Sequence, residues 1–349
     1  MDAPKKWAPV EDSASGEARA EPAAEGTKAP SGAPGVPELH PALAQQALPP
    51  FVVAKLEAAD SGLAVEDLAW AGEGSRLVSV DAGGTVRVWD TATWTRVREL
   101  PAAGAAPQGG AWRVAISEDG ARVLVTRGQA AQLHASDTGE QLLSLEHEGP
   151  TRAVALSADA KLLASGGADG LRTWTAKGKL RAHRRREGLG VVELRASADG
   201  RHLIAVWDDG LVEVLVPRKT KLKLEAKVET QVGAEGPHGR LVLAADGTRF
   251  AAPLDERAAG VFELASGARV LQVPYPQLLA IEAHANLLLA SETFDSGEVA
   301  VQLIDVHAGE AVRDFLGHRG PLRAASFSPD GSLFASASAD GSALVWAAP

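Results

Sequence analysis

The chain of 349 residues contains no cysteine, and only one methionine and one tyrosine. Without cysteine there is no disulfide framework, no thiolate zinc site and no cysteine nucleophile. A chain of this length can bury roughly three quarters of its unfolded surface, so it needs no such staple. Basic charge is also in short supply: the net charge is -10 and the pI about 5.4. That argues against nucleic acid as the main partner. No apolar run reaches the length of a membrane span. The opening "MDAPKKWAPVED" sets two lysines before no apolar stretch, so no secretory signal is expected. These absences point to a cytoplasmic protein. The excess of arginine over lysine, with abundant alanine and glycine, suggests a GC-rich bacterial genome.

Residues 1–50 are dense in Pro, Ala, Gly and Glu and poor in branched apolar residues. Such a stretch cannot bury enough surface to offset its ordering entropy. The expectation is a disordered tail, with one or two helical turns between Pro41 and Leu48 and a sticky spot at Lys5–Trp7.

From Phe51 to Pro349 one phrase recurs: strand, tight turn, strand, turn, then a strand ending on a large residue. The first turns read "GEG" at Gly72, "EDG" at Glu118, "ADA" at Ala158, "ADG" at Ala198 and Ala245, "HAN" at His284 and "PDG" at Pro329. Gly, Asn and Asp supply the positive φ that such hairpins need. The aligned large residues are Trp89, His134, Trp174, Leu215, Phe262, Ile304 and Trp346, spaced 45, 40, 41, 47, 42 and 42 apart. A period of about 40–45 residues is that of four-stranded propeller blades.

"GGTVRVWD", "DGSALVW" and "GHRGPLRAASFSPDGSLFASASADG" resemble WD40 repeats. The resemblance covers residues 51–349 and implies an all-β, seven-bladed propeller. In that family the last repeat supplies three strands of a blade and the start of the chain supplies the fourth. "FVVAKLE" (Phe51 to Glu57) alternates as a half-buried strand should. It is expected to pair with the Trp346 strand and close the ring, which removes two sticky edges.

His318, Ser336, Asp340 and Trp346 stand in the family's order and spacing, as do His147, Ser165, Asp169 and Trp174, one residue short before the Trp. The resemblance implies a structural chain from indole through Ser and His to Asp, not a nucleophilic triad. The first repeat keeps Ser79 and Trp89 but has Gly83 at the Asp position; the second has His134 in place of Trp. His134 is expected to be packed. No other histidines sit at metal-ligand spacing and no phosphate loop is present, so no catalytic residue, cofactor or metal is expected.

The family binds through its top face, where each innermost strand begins. Alignment places Glu66, Trp112, Arg152, Val192, Gly239 and Arg323 there. Trp and Arg are typical interface anchors. Trp112, Arg152 and Arg323, with Glu66 beside them, are therefore candidate binding residues for a protein or peptide that is acidic or phosphorylated. Trp112 has the alternative of plugging the channel. "HRRRE" (His183 to Glu187) reads as a loop between blades, and "RKTKLKLEAK" as an outer strand whose lysines discourage edge pairing. The leading expectation is a non-enzymatic adaptor, a single propeller within a larger assembly. A propeller enzyme would need carboxylates or histidines converging on the channel, where the sequence offers Glu66, Asp67 and Glu193 beside Arg113, Arg195 and Arg240. A structural subunit binding through its rim is the third alternative.

Overall fold

The computed structural model describes residues 51–57, 62–100, 112–230, 240–244, 246–275, 277–282, 284 and 286–349. The expected tail (1–50) and Gly239 lie outside the described residues. Among these residues, 28 strands run from β1 (Val52–Glu57) to β28 (Ser342–Ala347) and form seven four-stranded antiparallel sheets.

The turns follow from a local side-chain device. Ser117, Ser157, Ser197 and Ser328 each donate their hydroxyl to the Asp two residues on, at 2.5–2.8 Å. Each also accepts the backbone N–H five residues on, at 2.9–3.0 Å. The residue after the Asp is left-handed, as Gly120, Gly200 and Gly331, whereas Ala160 adopts φ 52° with a side chain that disfavours it.

Every sheet has the same register. The aligned large residues face Leu77, Val123, Leu163, Leu203, Phe250, Leu288 and Phe334 on the neighbouring strand. A bulge breaks the outer pairing beside each of them, from Val88/Trp89 in the first sheet to Val52/Ala54 in the last.

The innermost strands are β2 (Val65–Trp70), β6 (Val114–Ile116), β10 (Thr151–Leu156), β14 (Val191–Ala196), β18 (Val242–Leu243), β22 (Leu278–Ile281) and β26 (Leu322–Phe327). Each contacts the next, and β26 returns to β2, so the sheets are blades around a central channel. The ring is closed by β1, which pairs antiparallel with β28 through Val52↔Trp346, Ala54↔Val345 and Leu56↔Ala343. Val53 is buried as well as Val52, Ala54 and Leu56, because the bulge at Val52/Ala54 breaks strict alternation. Apolar clusters fill the joins between blades. One of them carries Val53, Ala54 and Leu56 onto Leu68 and Trp89 of the first blade.

Candidate functional site

In the last blade the Trp346 indole N–H, which can only donate, reaches Ser336 Oγ at 2.8 Å. Ser336 therefore spends its own proton on His318 Nε2, 2.7 Å away, leaving the His318 proton on Nδ1. That Nδ1 lies 3.0 Å from Ser342 Oγ and 3.4 Å from Asp340 Oδ2, while Ser342 donates to Asp340 Oδ1 at 2.6 Å. Ser342, which is not part of the expected chain, relays His318 to the carboxylate through two bonds each shorter than the direct contact. In the third blade Trp174 donates to Ser165 at 2.8 Å, Ser165 meets His147 Nε2 at 2.6 Å and His147 Nδ1 reaches Asp169 at 2.5 Å. Both serines are fully buried, and neither faces a cleft.

Burial pushes the His147 imidazole below its ordinary value, against the pull of Asp169. Burial raises Asp169, but His147, the Glu148 N–H and Arg172 together bring its carboxyl below the usual range. Asp340 is likewise held well down, by His318, Ser342 and backbone N–H groups acting against burial.

Other blades solve the same problem with different residues. In the first blade Trp89 donates to Ser79 at 3.0 Å, while the buried carboxylate there is Asp81, which accepts the N–H groups of Gly83 and Thr85 and pairs with Arg87 at 2.8 Å. In the fourth blade Trp207 donates to Glu213 at 3.0 Å, and Arg184 of the third blade grips the same carboxylate at 2.6 and 2.7 Å. His183 and Arg184 thus end strand β13 (Leu180–Arg184) instead of lying in a loop. The neighbouring arginines are also held by the chain's own acids, Arg185 by Glu148 and Arg186 by Asp209, each at 2.7 Å. His134 is buried, with Nδ1 3.3 Å from Gly139 O.

The register brings the charged residues of the innermost strands into one layer. Asp67, Arg113, Glu193 and Arg240 occupy the same position in their blades, where other blades have Ala153, Leu278 and Ala324. Arg240 Nη1 meets Asp67 Oδ1 at 2.6 Å and Nη2 donates to Glu66 O at 3.1 Å. The second oxygen of each carboxylate ties its strand to the next blade: Asp67 accepts Val114 N–H at 3.1 Å, Glu193 accepts Leu241 N–H at 2.9 Å. Arg195 completes the cluster, 2.7 Å from Glu193.

Burial raises the Asp67 carboxyl, yet Arg240, Arg113 and Arg195 hold it below its ordinary value. Arg113 is brought down to about 10 by burial and by repulsion from Arg240. Charged residues at one repeat position inside otherwise apolar strands were the signal available in the sequence; which of them would meet was not. No group of three or more His, Cys, Asp or Glu suited to a metal occurs among the described residues.

The four top-face candidates part company. Trp112 is only 2% exposed, with its indole donating to Ala82 O at 3.0 Å and its ring lying on Gly84. A Cβ on Gly84 would come within 2.4 Å of that ring, and Gly84 has φ 81°, so glycine is required there. Trp112 wedges the first two blades together, and the expectation of an exposed aromatic anchor is not met. Arg152 is tied to Asp208 of the next blade at 2.9 Å. Glu66 is half-buried and offers its carbonyl to Arg240. Arg323 is exposed, and no hydrogen bond or ion pair holds its side chain among the described residues.

Arg319, four residues before Arg323 in the chain and not among the expected binding residues, is also exposed. It lines a cleft of about 410 Å³ between the last two blades, with Ser296, Glu298, Val299 and Leu316.

A seven-bladed ring with indole–Ser–His–Asp chains and an open face defines a class, the repeat propellers. Residues 52–90, 139–171 and 309–347 match the family described as WD domain, G-beta repeat, so the chain carries WD40 repeats on a seven-bladed propeller. It is similar to a serine-threonine kinase receptor-associated protein of Gallus gallus, 25% identical over 253 residues, 68% of this chain and 67% of that one. The proteins of the same name from Bos taurus and Homo sapiens are 45% identical over 42 residues, 12% of each chain.

Proposed function

We propose that this protein is a non-enzymatic scaffold that takes an acidic or phosphorylated segment of a protein partner on the top face of its last blade. The observation that carries this is Arg319, exposed in an open cleft, with Arg323 four residues on and also exposed; neither side chain has a hydrogen bond or ion pair among the described residues, while the arginines of the third and fourth blades are held by neighbouring acids. Free guanidinium groups recognise carboxylate and phosphate in two-pronged fashion, and Leu316 and Val299 add apolar contact in the same cleft. The relatives are named as receptor-associated proteins, which supports a binding role.

The cytoplasmic and bacterial setting rests on composition; the relatives reported above are from vertebrates. The tail at 1–50 enters as a proposed leader to the domain at 51–349.

Affinity capture from the source organism with wild type and an Arg319→Glu/Arg323→Glu variant tests the reading. A partner retained by wild type and lost by the variant, at equal melting temperature, supports it. Equal retention would move the binding surface to the rim or the tail.

A further inference from the structure

Below the charged layer the channel opens into a cavity of about 320 Å³ bounded by all seven blades. The next inward layer explains its size. Six of the seven aligned positions carry small residues, Ala69, Ala115, Ala155, Val242, Ala280 and Ser326, and the seventh carries Arg195. One guanidinium therefore stands in a layer otherwise made of five aliphatic side chains and the Ser326 hydroxyl.

Asp67 and Arg240 close the chamber on the top side, and the turn residues Gly72, Ser328 and Pro329 bound it on the other. Trp70, Ile116 and Phe327 form the apolar wall near that lower end. The charges are unevenly matched. Among the described residues the Arg113 side chain donates to Trp112 O alone and its Nε is buried with no partner, and its guanidinium is the one brought down to about 10. Asp67 and Glu193 are each shared between a cation and a backbone N–H. Arg195 reaches only Leu194 O and Glu193, and 28% of its side chain is exposed within the channel. The cluster thus sets three guanidinium groups, Arg113, Arg195 and Arg240, against two buried carboxylates, Asp67 and Glu193, and the two cations that line the chamber, Arg195 and Arg240, share that surplus of positive charge, which an anion would stabilise.

We propose that the chamber is a binding site for a small carboxylate with a short apolar body, its head on Arg195 and Arg240 and its carbon chain against Ala69, Ala155 and Ala280. A chamber of this size with convergent polar groups at one end falls in the range of small-ligand pockets. The site does not depend on the top-face reading, since its walls lie below the charged layer.

Titration calorimetry on the full chain tests it with butyrate, butyramide and inorganic phosphate at fixed ionic strength. Two variants accompany wild type: Arg195→Gln removes the cation, and Ala155→Leu fills the chamber while leaving every charge in place. Butyrate is expected to bind wild type, with affinity falling roughly tenfold or more in Arg195→Gln, the loss of a charged hydrogen bond. It is expected to vanish in Ala155→Leu, whose melting temperature reports that the ring is intact. No butyrate binding to wild type overturns the proposal. So does butyramide binding as tightly as butyrate, because the charge would then be irrelevant. Phosphate binding as tightly as butyrate overturns it too, because the apolar walls would then contribute nothing.

Discussion

Arg240 Nη1 lies 2.6 Å from Asp67 Oδ1, joining the first and fifth blades through residues 173 apart in the chain. Asp67 is buried, so breaking the pair from one side strands a charge. Arg240→Met is expected to cost about 3 kcal/mol or more. The double variant with Asp67→Asn should lose less than the two single losses summed. Urea unfolding of the four proteins gives the coupling; additive losses would mean that the two residues act independently.

Closure by β1 places Val52, Val53, Ala54 and Leu56 in the last join of the ring. Deleting residues 1–57 is expected to leave β28 unpaired and the protein insoluble or much less stable, while deleting residues 1–48 leaves the melting temperature unchanged. Equal melting of the two truncations would remove β1 from its role as the clasp.

Ser336 serves two buried partners, Trp346 and His318, whereas Ser79 serves Trp89. Ser336→Ala strands a donor and an acceptor together and is expected to cost about 2–3 kcal/mol; Ser79→Ala strands one donor and should cost about 1. Denaturant midpoints of both variants check the order, which a reversal would refute.

Trp112 fills the join between the first two blades. Trp112→Ala is expected to cost about 3–5 kcal/mol through the cavity it leaves. Any loss of partner binding should follow the loss of fold, which partner titration at temperatures well below melting separates from a direct contact.

His147 and His134 both sit below their ordinary value of 6.5, chiefly through burial. In the unfolded chain they take up protons near 6.5; in the folded protein they resist until lower pH. Stability is therefore expected to be full above that value and to fall as pH drops through it. Asp169 and Asp340, held below 3.8, extend the loss under more acidic conditions. The variant His134→Gln/His147→Gln should show a flatter stability profile between about pH 6.5 and 5. An unchanged slope would assign it to other groups.

The repeat itself was legible because its causes are local. Turns carrying Gly, Asn or Asp, the large residue ending each third strand and the Trp–Ser spacing all act within one blade of about 40 residues, and a short period displays them side by side; the serine that braces the turns emerged from the structure. The seven anchors share one register, and β1 meets β28 at the expected residues. Contacts between blades were not legible. Glu213 replaces a Ser–His chain by borrowing Arg184 from the blade before, and Trp112 turns into the join because Gly84 leaves room for its ring.

The sequence by itself therefore determined the number of blades, their turns and the clasp, since hydrogen-bond spacing and alternation are properties of neighbouring residues. Only the tertiary structure decided which charges are spent and which stay free. Arg152 is claimed by Asp208 and Arg240 by Asp67, while the Arg323 and Arg319 side chains are exposed and carry no hydrogen bond or ion pair among the described residues. That outcome depends on what the ring places within a few ångströms, and sequence distance carries no record of it.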